Sequence, residues 1–249
     1  MLDDPLFYLV SIPAVMLYGV AKGGFGGAIS VLSVPMMALV MPPTQAAAIL
    51  LPILVVMDAF AVQTYWGRFD RRALGLLLPG AVFGVVIGYL TAGLLSEAIL
   101  RLMVGVISLL FALQQLTGFR ARAAARHKPL AASFYGTIAG FTSFNIHAGG
   151  PPFTMYLMPK RLDPLLFAGT AAVFFAVVNL VKLVPYAVLG QFTGANLLYS
   201  LVLVPLAPLG VKLGHALTRR SSPGIYYRVI SIFLLVVGVK LLWEGYRAL

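Results

Sequence analysis

Six stretches of this sequence run for about twenty residues with few or no charges, and that length matches the hydrocarbon core of a bilayer. They are roughly 44–66, 73–93, 99–117, 164–187, 195–217 and 225–246. The apolar residues are continuous rather than alternating, so the runs read as helices and not as barrel strands. Only 10% of the 249 residues are charged, against 61% hydrophobic. A soluble domain carries about 25% charged residues. So few charges cannot cover a water-facing surface, and in lipid the backbone must pair internally, as helices do.

Two further regions are apolar but interrupted. Residues 5–41 contain Lys22-Gly23-Gly24-Phe25-Gly26-Gly27, and residues 129–159 contain Ser143 through Pro152. Each region is too long for one straight helix, and its pieces, of about 9–16 residues, are short for separate spans. They read as half-helices or re-entrant segments, or else as short spans joined by Gly-rich turns. Irregular backbone at membrane depth persists where it is buried in protein or lines a cavity. Both breaks therefore mark a candidate site.

The charge balance fixes an expected orientation. Lys and Arg number 18 against 7 Asp and Glu, a formal net charge of +11. In a soluble chain this would suggest nucleic acid; in a membrane chain it reads as the basic bias of cytoplasmic loops. Basic residues gather in four loops, at Arg68–Arg72, Arg120–Lys128, Lys160–Arg161 and Arg219–Arg220. The turns near 41–44, 94–98 and 188–194 hold no Lys or Arg. Placing the four basic loops in the cytoplasm makes every complete span alternate, with both termini outside. The N-terminus lacks a basic n-region, so no cleaved leader is expected.

The two halves resemble each other. Val34-Pro35 and Leu39-Val40-Met41-Pro42 correspond to Pro151-Pro152 and Tyr156-Leu157-Met158-Pro159. Asp58–Tyr65 corresponds to Asn179–Tyr186, Pro79–Gly88 to Pro205–Gly214, and Arg101 to Arg228. The loop after 44–66 is basic while its counterpart is not, and the turn at 94–98 is neutral while its counterpart is basic. Equivalent loops facing opposite sides are the signature of an inverted repeat. The expected fold is an all-α polytopic membrane protein with about 8–10 membrane segments. Residues 1–118 form the first repeat, 119–128 a basic cytoplasmic linker and 129–249 the second. Each repeat has a broken or re-entrant first region followed by three full spans.

Transporters of this construction bind substrate near the midplane between broken helices. A half-helix start presents unpaired N–H groups and a positive dipole end, and glycine lets backbone approach a ligand. Gly23, Gly24, Gly26 and Gly27 are therefore expected to meet Gly149 and Gly150 across a shared cavity. Lys22 supplies a cation there, or is an ordinary loop lysine. Ser143, Asn145 and His147 supply hydrogen bonds to an oxyanion, or cap a buried turn. Asp58 lies within a span, with Asn179 as its repeat mate and Lys182 one turn further on. An Asp58–Lys182 pair is conceivable, and Gln63 could line the same path. Lys212, Arg101, Arg228 and Lys240 lie near span ends, where snorkelling to the interface explains them.

No enzyme constellation stands out, and the glycine run is not a phosphate loop, because no Gly-Lys-Ser/Thr follows it. Cysteine is absent and His127, His147 and His215 lack ligand spacing, so neither a metal nor another cofactor is expected. The expected partners are a small anion and the lipid bilayer, with no nucleic acid; a homodimer is left open.

The run Gly19-Val20-Ala21-Lys22-Gly23-Gly24-Phe25-Gly26-Gly27, with Val34-Pro35 after it, resembles the TauE/SafE family of sulfite and organosulfonate exporters, in the 4-toluene sulfonate uptake permease superfamily. Gly140-Phe141-Thr142-Ser143-Phe144, then His147-Ala148-Gly149-Gly150-Pro151-Pro152 and Tyr156-Leu157-Met158-Pro159, is similar to that family's second repeat. Ala21 departs from the pattern, standing where a serine often precedes the Lys-Gly-Gly run. The resemblance spans about residues 8–245. It implies secondary export of sulfite or of an organosulfonate such as sulfoacetate across the bacterial inner membrane. Import of the same substrates, a passive anion channel and a non-transporting scaffold are the alternatives.

Overall fold

The computed structural model describes residues 4–27, 30–94, 96–116 and 128–248. Its first half comprises α1 (Pro5–Gly24), a 3-10 turn (Ser30–Leu32), α2 (Ser33–Met37), α3 (Pro43–Thr64), α4 (Arg71–Leu90) and α5 (Glu97–Leu116). Its second half comprises α6 (Pro129–Ile146), α7 (Gly150–Leu157), α8 (Pro164–Val188), α9 (Gly194–Leu203), α10 (Leu206–Arg220) and α11 (Pro223–Arg247). Most of the expected basic linker, 119–127, lies outside the described residues.

Carboxylates are scarce in this chain, so their positions are informative. Asp4, Asp70 and Asp163 each cap a helix start, accepting from the amides of Leu6, Ala73 and Leu165 at 2.9 Å. An anion at a helix N-terminus satisfies free N–H groups and the dipole together. Among the described residues, Asp58 is the one acidic side chain that is buried.

Among the described residues five helices are long and apolar enough to cross a membrane: α1, α3, α4, α8 and α11. A sixth crossing is formed if α9 and α10 count as one span bent by 46°. The bend falls at Pro205, which has no N–H to give the preceding turn. The expected span at 99–117 is helical as α5, with its apolar stretch at Arg101–Leu110. Leu180, Val184 and Val188 on α8 and Phe83 and Leu90 on α4 are exposed, a surface suited to lipid. This is an all-helical, multi-pass membrane protein.

The interrupted regions differ from the expectation in one respect. Their first pieces are 20 and 18 residues long, as α1 and α6, and only the second pieces, α2 and α7, are short. Lys22-Gly23-Gly24 stays helical because those glycines form a packing seam. A Cβ on Gly23 would lie 2.2 Å from the Val211 carbonyl oxygen, and one on Gly24 would lie 1.9 Å from Thr218 Oγ1. Without a hydrophobic drive between helices in lipid, such close backbone approach is what holds them.

Four helix pairs dominate the packing: α1 with α10, α4 with α6, α3 with α8, and α5 with α11. The α1–α10 pair is parallel, since Gly19 meets Gly210 and Gly24 meets Thr218. The α4–α6 pair is also parallel, with Leu77 at Gly136 and Ala81 at Gly140. The α5–α11 pair is antiparallel, as Gly105 meets Gly238 while Gly245 meets Leu102. In the α3–α8 pair the end of α3 lies at the start of α8: Gly169 abuts Tyr65 and the Arg68 carbonyl, and Thr170 Oγ1 accepts from the Asp70 amide at 2.9 Å. That pair is antiparallel too.

Candidate functional site

A chain of buried polar groups crosses the centre of this packing. Lys22 lies in the last turn of α1, where a cation also favours the free carbonyls. Its ammonium bonds Asp58 Oδ1 of α3. Asp58 Oδ2 accepts from Asn179 Nδ2 of α8 at 2.6 Å. One turn on, Lys182 Nζ donates to the Ser143 carbonyl at 3.0 Å and to Ser143 Oγ at 3.2 Å. Its third contact is His147 Nδ1, at 2.8 Å.

The partners of His147 define its protonation. Nε2 lies 3.0 Å from the carbonyl oxygen of Ala47, which can only accept. Nε2 therefore carries the proton, and Nδ1 is left as a lone pair for an N–H of Lys182. His147 is a neutral acceptor here. Its backbone sits in the left-handed region, φ 53°, where α6 ends, and its carbonyl accepts from the Tyr18 hydroxyl at 3.2 Å.

Lys22, Asp58 and Lys182 are 5%, 3% and 0% exposed, so their charges count at low dielectric. Two lysine side chains share this interior with one carboxylate, so the cluster holds more basic than acidic groups. The Lys22 ammonium also lies 5.5 Å from the Phe175 ring centroid and 6.0 Å from that of Tyr18, within cation–π range. Asp58 pairs with Lys22, and not with Lys182, the pairing that the sequence left conceivable.

The breaks converge. Gly26 and Gly27 take positive φ values of 59° and 73°, which open the turn after α1. A Cβ on Gly27 would lie 3.5 Å from Gly150 Cα. Gly26 abuts Phe167, and Gly149 abuts the Ala139 carbonyl. The start of α7 offers fewer N–H groups than a typical helix start, because Pro151 and Pro152 follow Gly150 and carry none. Hence cationic side chains, more than backbone amides, supply positive charge at this locus.

Two other expected residues lie outside this chain of bonds. Asn145 Nδ2 donates to the Phe141 carbonyl at 2.9 Å, and Gln63 is exposed on α3. Asn145 instead lines a cavity of about 330 Å³, with Thr44, Ala47, Gly93, Phe144, Tyr186 and Gln191 among the other walls. Thr44 lies in the first turn of α3, and Gly93 and Gln191 lie in the turns after α4 and α8. Ala47 and Tyr186 connect the cavity to the polar chain: the Ala47 carbonyl holds His147, and the Tyr186 hydroxyl donates to the Phe144 carbonyl at 2.8 Å. Tyr65 does the equivalent at the other break, donating to the Gly23 carbonyl, and Tyr226 donates to that of Gly24. Sequence reasoning missed Tyr18, Tyr65 and Tyr186 as members of this locus. The last two close the matched segments Asp58–Tyr65 and Asn179–Tyr186, and that placement was the available signal.

Apolar spans surrounding a buried ionic cluster at converging helix breaks place this chain among the multi-pass membrane transporters. The family is specific. The model of the sulfite exporter TauE/SafE family matches residues 11–241, and the chain belongs to that family. It is similar to the probable sulfite/organosulfonate exporter TauE of Cupriavidus necator, at 24% identity over 98% of this chain and 96% of the relative. No solved structure matches it.

Proposed function

We propose that this protein is a secondary transporter that exports sulfite or an organosulfonate, and that the Lys22–Asp58–Asn179–Lys182–His147 chain is its anion site. The observation that carries this reading is that two buried lysines, Lys22 and Lys182, share one buried carboxylate, Asp58, where the two halves meet. Ionisable side chains in a dry interior are expensive, and such residues within spans tend to mark a transport path. An oxyanion that replaces His147 Nδ1 or Ser143 as the acceptor for Lys182 supplies the counter-charge that favours its ammonium form. Ser143, Asn145, Gly27, Gly149 and Gly150 then surround it, and the vestibule at Tyr186 is one way out.

The same reading divides the chain into repeats 1–118 and 129–249 with inverted topology. Helices that correspond by order, α3 with α8 and α5 with α11, pack antiparallel. An axis in the membrane plane requires that, whereas an axis along the normal would make them parallel. The pairs α1–α10 and α6–α4 interchange under the same operation. So do the bonds from Tyr65 to Gly23 and from Tyr186 to Phe144. Asp58 and Asn179, which correspond in sequence, touch each other and so mark the axis.

With the four basic loops in the cytoplasm and both termini outside, the Thr44–Gln191 vestibule opens to the periplasm. Rocking of the halves about the Asp58–Asn179 contact would close that side at Tyr186 and open the other at Tyr65. An anion leaving a negative-inside cell gains about 2.3 kcal/mol per 100 mV, so export needs no ATP-driven motor.

The test is counterflow in proteoliposomes with sulfite, sulfoacetate, taurine and sulfate offered in turn. The expected result is flux of sulfite or a sulfonate that rises with the same anion on the far side. Flux without that stimulation would make the protein a channel, and no flux of any of the four would remove the transport reading.

A further inference from the structure

Arg161, in the turn after α7, and Arg228, near the start of α11, meet at one cavity. It has a volume of about 430 Å³, and Leu116, Met158, Tyr227 and Ser231 are among its other walls. The Tyr227 hydroxyl donates to the Leu162 carbonyl at 2.6 Å, which fixes the start of α11 against the loop that carries Arg161. Arg161 holds a left-handed backbone, φ 51°, a costly conformation for a residue with a side chain and one that clusters at binding sites. Among the described residues no carboxylate lines the cavity, and neither guanidinium is paired with one. Asp163 acts on the Tyr227 hydroxyl from nearby, but it lies outside the wall and caps α8 through the Leu165 and Leu166 amides. Arg101, which matches Arg228 in the sequence, lines a cavity at the opposite end of the α5–α11 pair, and that wall does contain an acid, Glu244.

We propose that the Arg161–Arg228 cavity binds the phosphodiester of an anionic phospholipid. Guanidinium forks match phosphate oxygens in geometry and charge, and two of them on separate elements can hold one phosphate between them. The cavity lies at the end of the fold that carries Lys160–Arg161 and Arg219–Arg220, the end expected to face the cytoplasm. Basic pockets between spans on that side meet a leaflet rich in anionic headgroups. The surface beside the cavity favours a lipid over a free phosphate. Arg228 is exposed on the same stripe of α11 as Ile225, Ile232 and Val236, spaced by three, four and four residues. The end of α5 adds Leu110, Leu113 and Leu116, all exposed. Acyl chains lie along these stripes while the headgroup sits between the guanidiniums. A bound lipid ties the turn after α7 to the α5–α11 pair and so stabilises the folded protein. This site is independent of what the Lys182 cluster carries.

The test uses the full chain, delipidated in a neutral detergent. Dioleoyl phosphatidylglycerol is the anionic probe, dioleoyl phosphatidylcholine the zwitterionic one, and glycerol 3-phosphate the soluble headgroup. Native mass spectrometry of the wild type in an equal mixture of the two lipids should show the anionic one retained at least about tenfold more, as two cations at the headgroup imply. Equal retention overturns the proposal without any variant. Thermal unfolding should show a saturable rise in Tm with phosphatidylglycerol and none with phosphatidylcholine. An equal rise with glycerol 3-phosphate would make this a soluble-phosphate site and overturn the lipid assignment. Arg161→Gln combined with Arg228→Gln should abolish the response to phosphatidylglycerol. Arg219→Gln combined with Arg220→Gln removes two charges at the same end but outside the cavity, and should keep that response. If the first double variant responds like the wild type, or the second loses as much as the first, attraction to the basic surface at large explains the binding and the site falls.

Discussion

Asn179 donates its side-chain amide to Asp58 at 2.6 Å, so two residues that occupy equivalent places in the two halves of the sequence touch at the centre of the fold. Their equivalence is broken by charge. Asp58 holds Lys22 of its own half, while Lys182 of the Asn179 half contacts Ser143 and His147 rather than a carboxylate. The surplus of basic over acidic groups in the cluster comes from that asymmetry.

Asp58→Ala is expected to destabilise the protein by about 3–5 kcal/mol, because it leaves the buried Lys22 ammonium without its counter-ion. Lys22→Met combined with Asp58→Leu should recover most of that loss, since no uncompensated charge remains. Thermal unfolding in detergent of the single and double variants reads both effects. A double variant no more stable than Asp58→Ala would show that the pair is not coupled as described.

The seam glycines predict a pattern of assembly defects. A Cβ at Gly84 would lie 2.0 Å from the Thr137 carbonyl oxygen, one at Gly140 2.0 Å from that of Ala81, and one at Gly19 2.8 Å from Gly210 Cα. Gly84→Ala and Gly140→Ala should each cost about 1–3 kcal/mol through overpacking. Gly75→Ala meets nothing within 4 Å and should be neutral or slightly stabilising. Folded yield by fluorescence-detected size-exclusion chromatography distinguishes these, and equal yields would contradict the seam.

Much of this was legible in the sequence. Span lengths and the paucity of charge dictated helices in lipid, and the two glycine-bearing breaks were located because each interrupts an apolar run. Partner choice was not legible. Asp58 has Lys22 and Lys182 as candidate cations, and only the depth at which α1 passes α3 decides between them. The helical state of Gly23 and Gly24 was hidden too. Glycines read as a turn unless a neighbouring helix fills the space they leave, as Val211 and Thr218 do. Proline gave a similarly incomplete signal. Pro13, Pro52, Pro79 and Pro185 lie inside continuous helices, whereas Pro205 divides one.

The expected orientation can be read by labelling, because the chain has no cysteine of its own. Leu94→Cys and Gln191→Cys should react with a membrane-impermeant maleimide added outside intact cells. Arg71→Cys and Ser222→Cys should react only after the membrane is opened. The reverse pattern would invert the topology and turn the Tyr186 vestibule towards the cytoplasm.

The hydroxyls of Tyr65 and Tyr186 each satisfy a carbonyl at the end of a long broken-region helix, on opposite sides of the cluster. Tyr65→Phe and Tyr186→Phe should each cost about 1 kcal/mol in stability. If the two bonds alternate as latches, each variant also shifts the balance between inward- and outward-facing forms, and in opposite directions. Labelling rates at Thr44→Cys measured in the two backgrounds report this, and identical rates would count against the latch role.

The central claim is that an oxyanion binds at Lys182. Thermal stabilisation of the purified protein by methanesulfonate tests it most directly, since a ligand at one hundred times its Kd stabilises the folded state by about 2.7 kcal/mol. The wild type should show a saturable rise in Tm, and Lys182→Met should fold but show none. A Lys182→Met protein stabilised as much as the wild type would contradict the account.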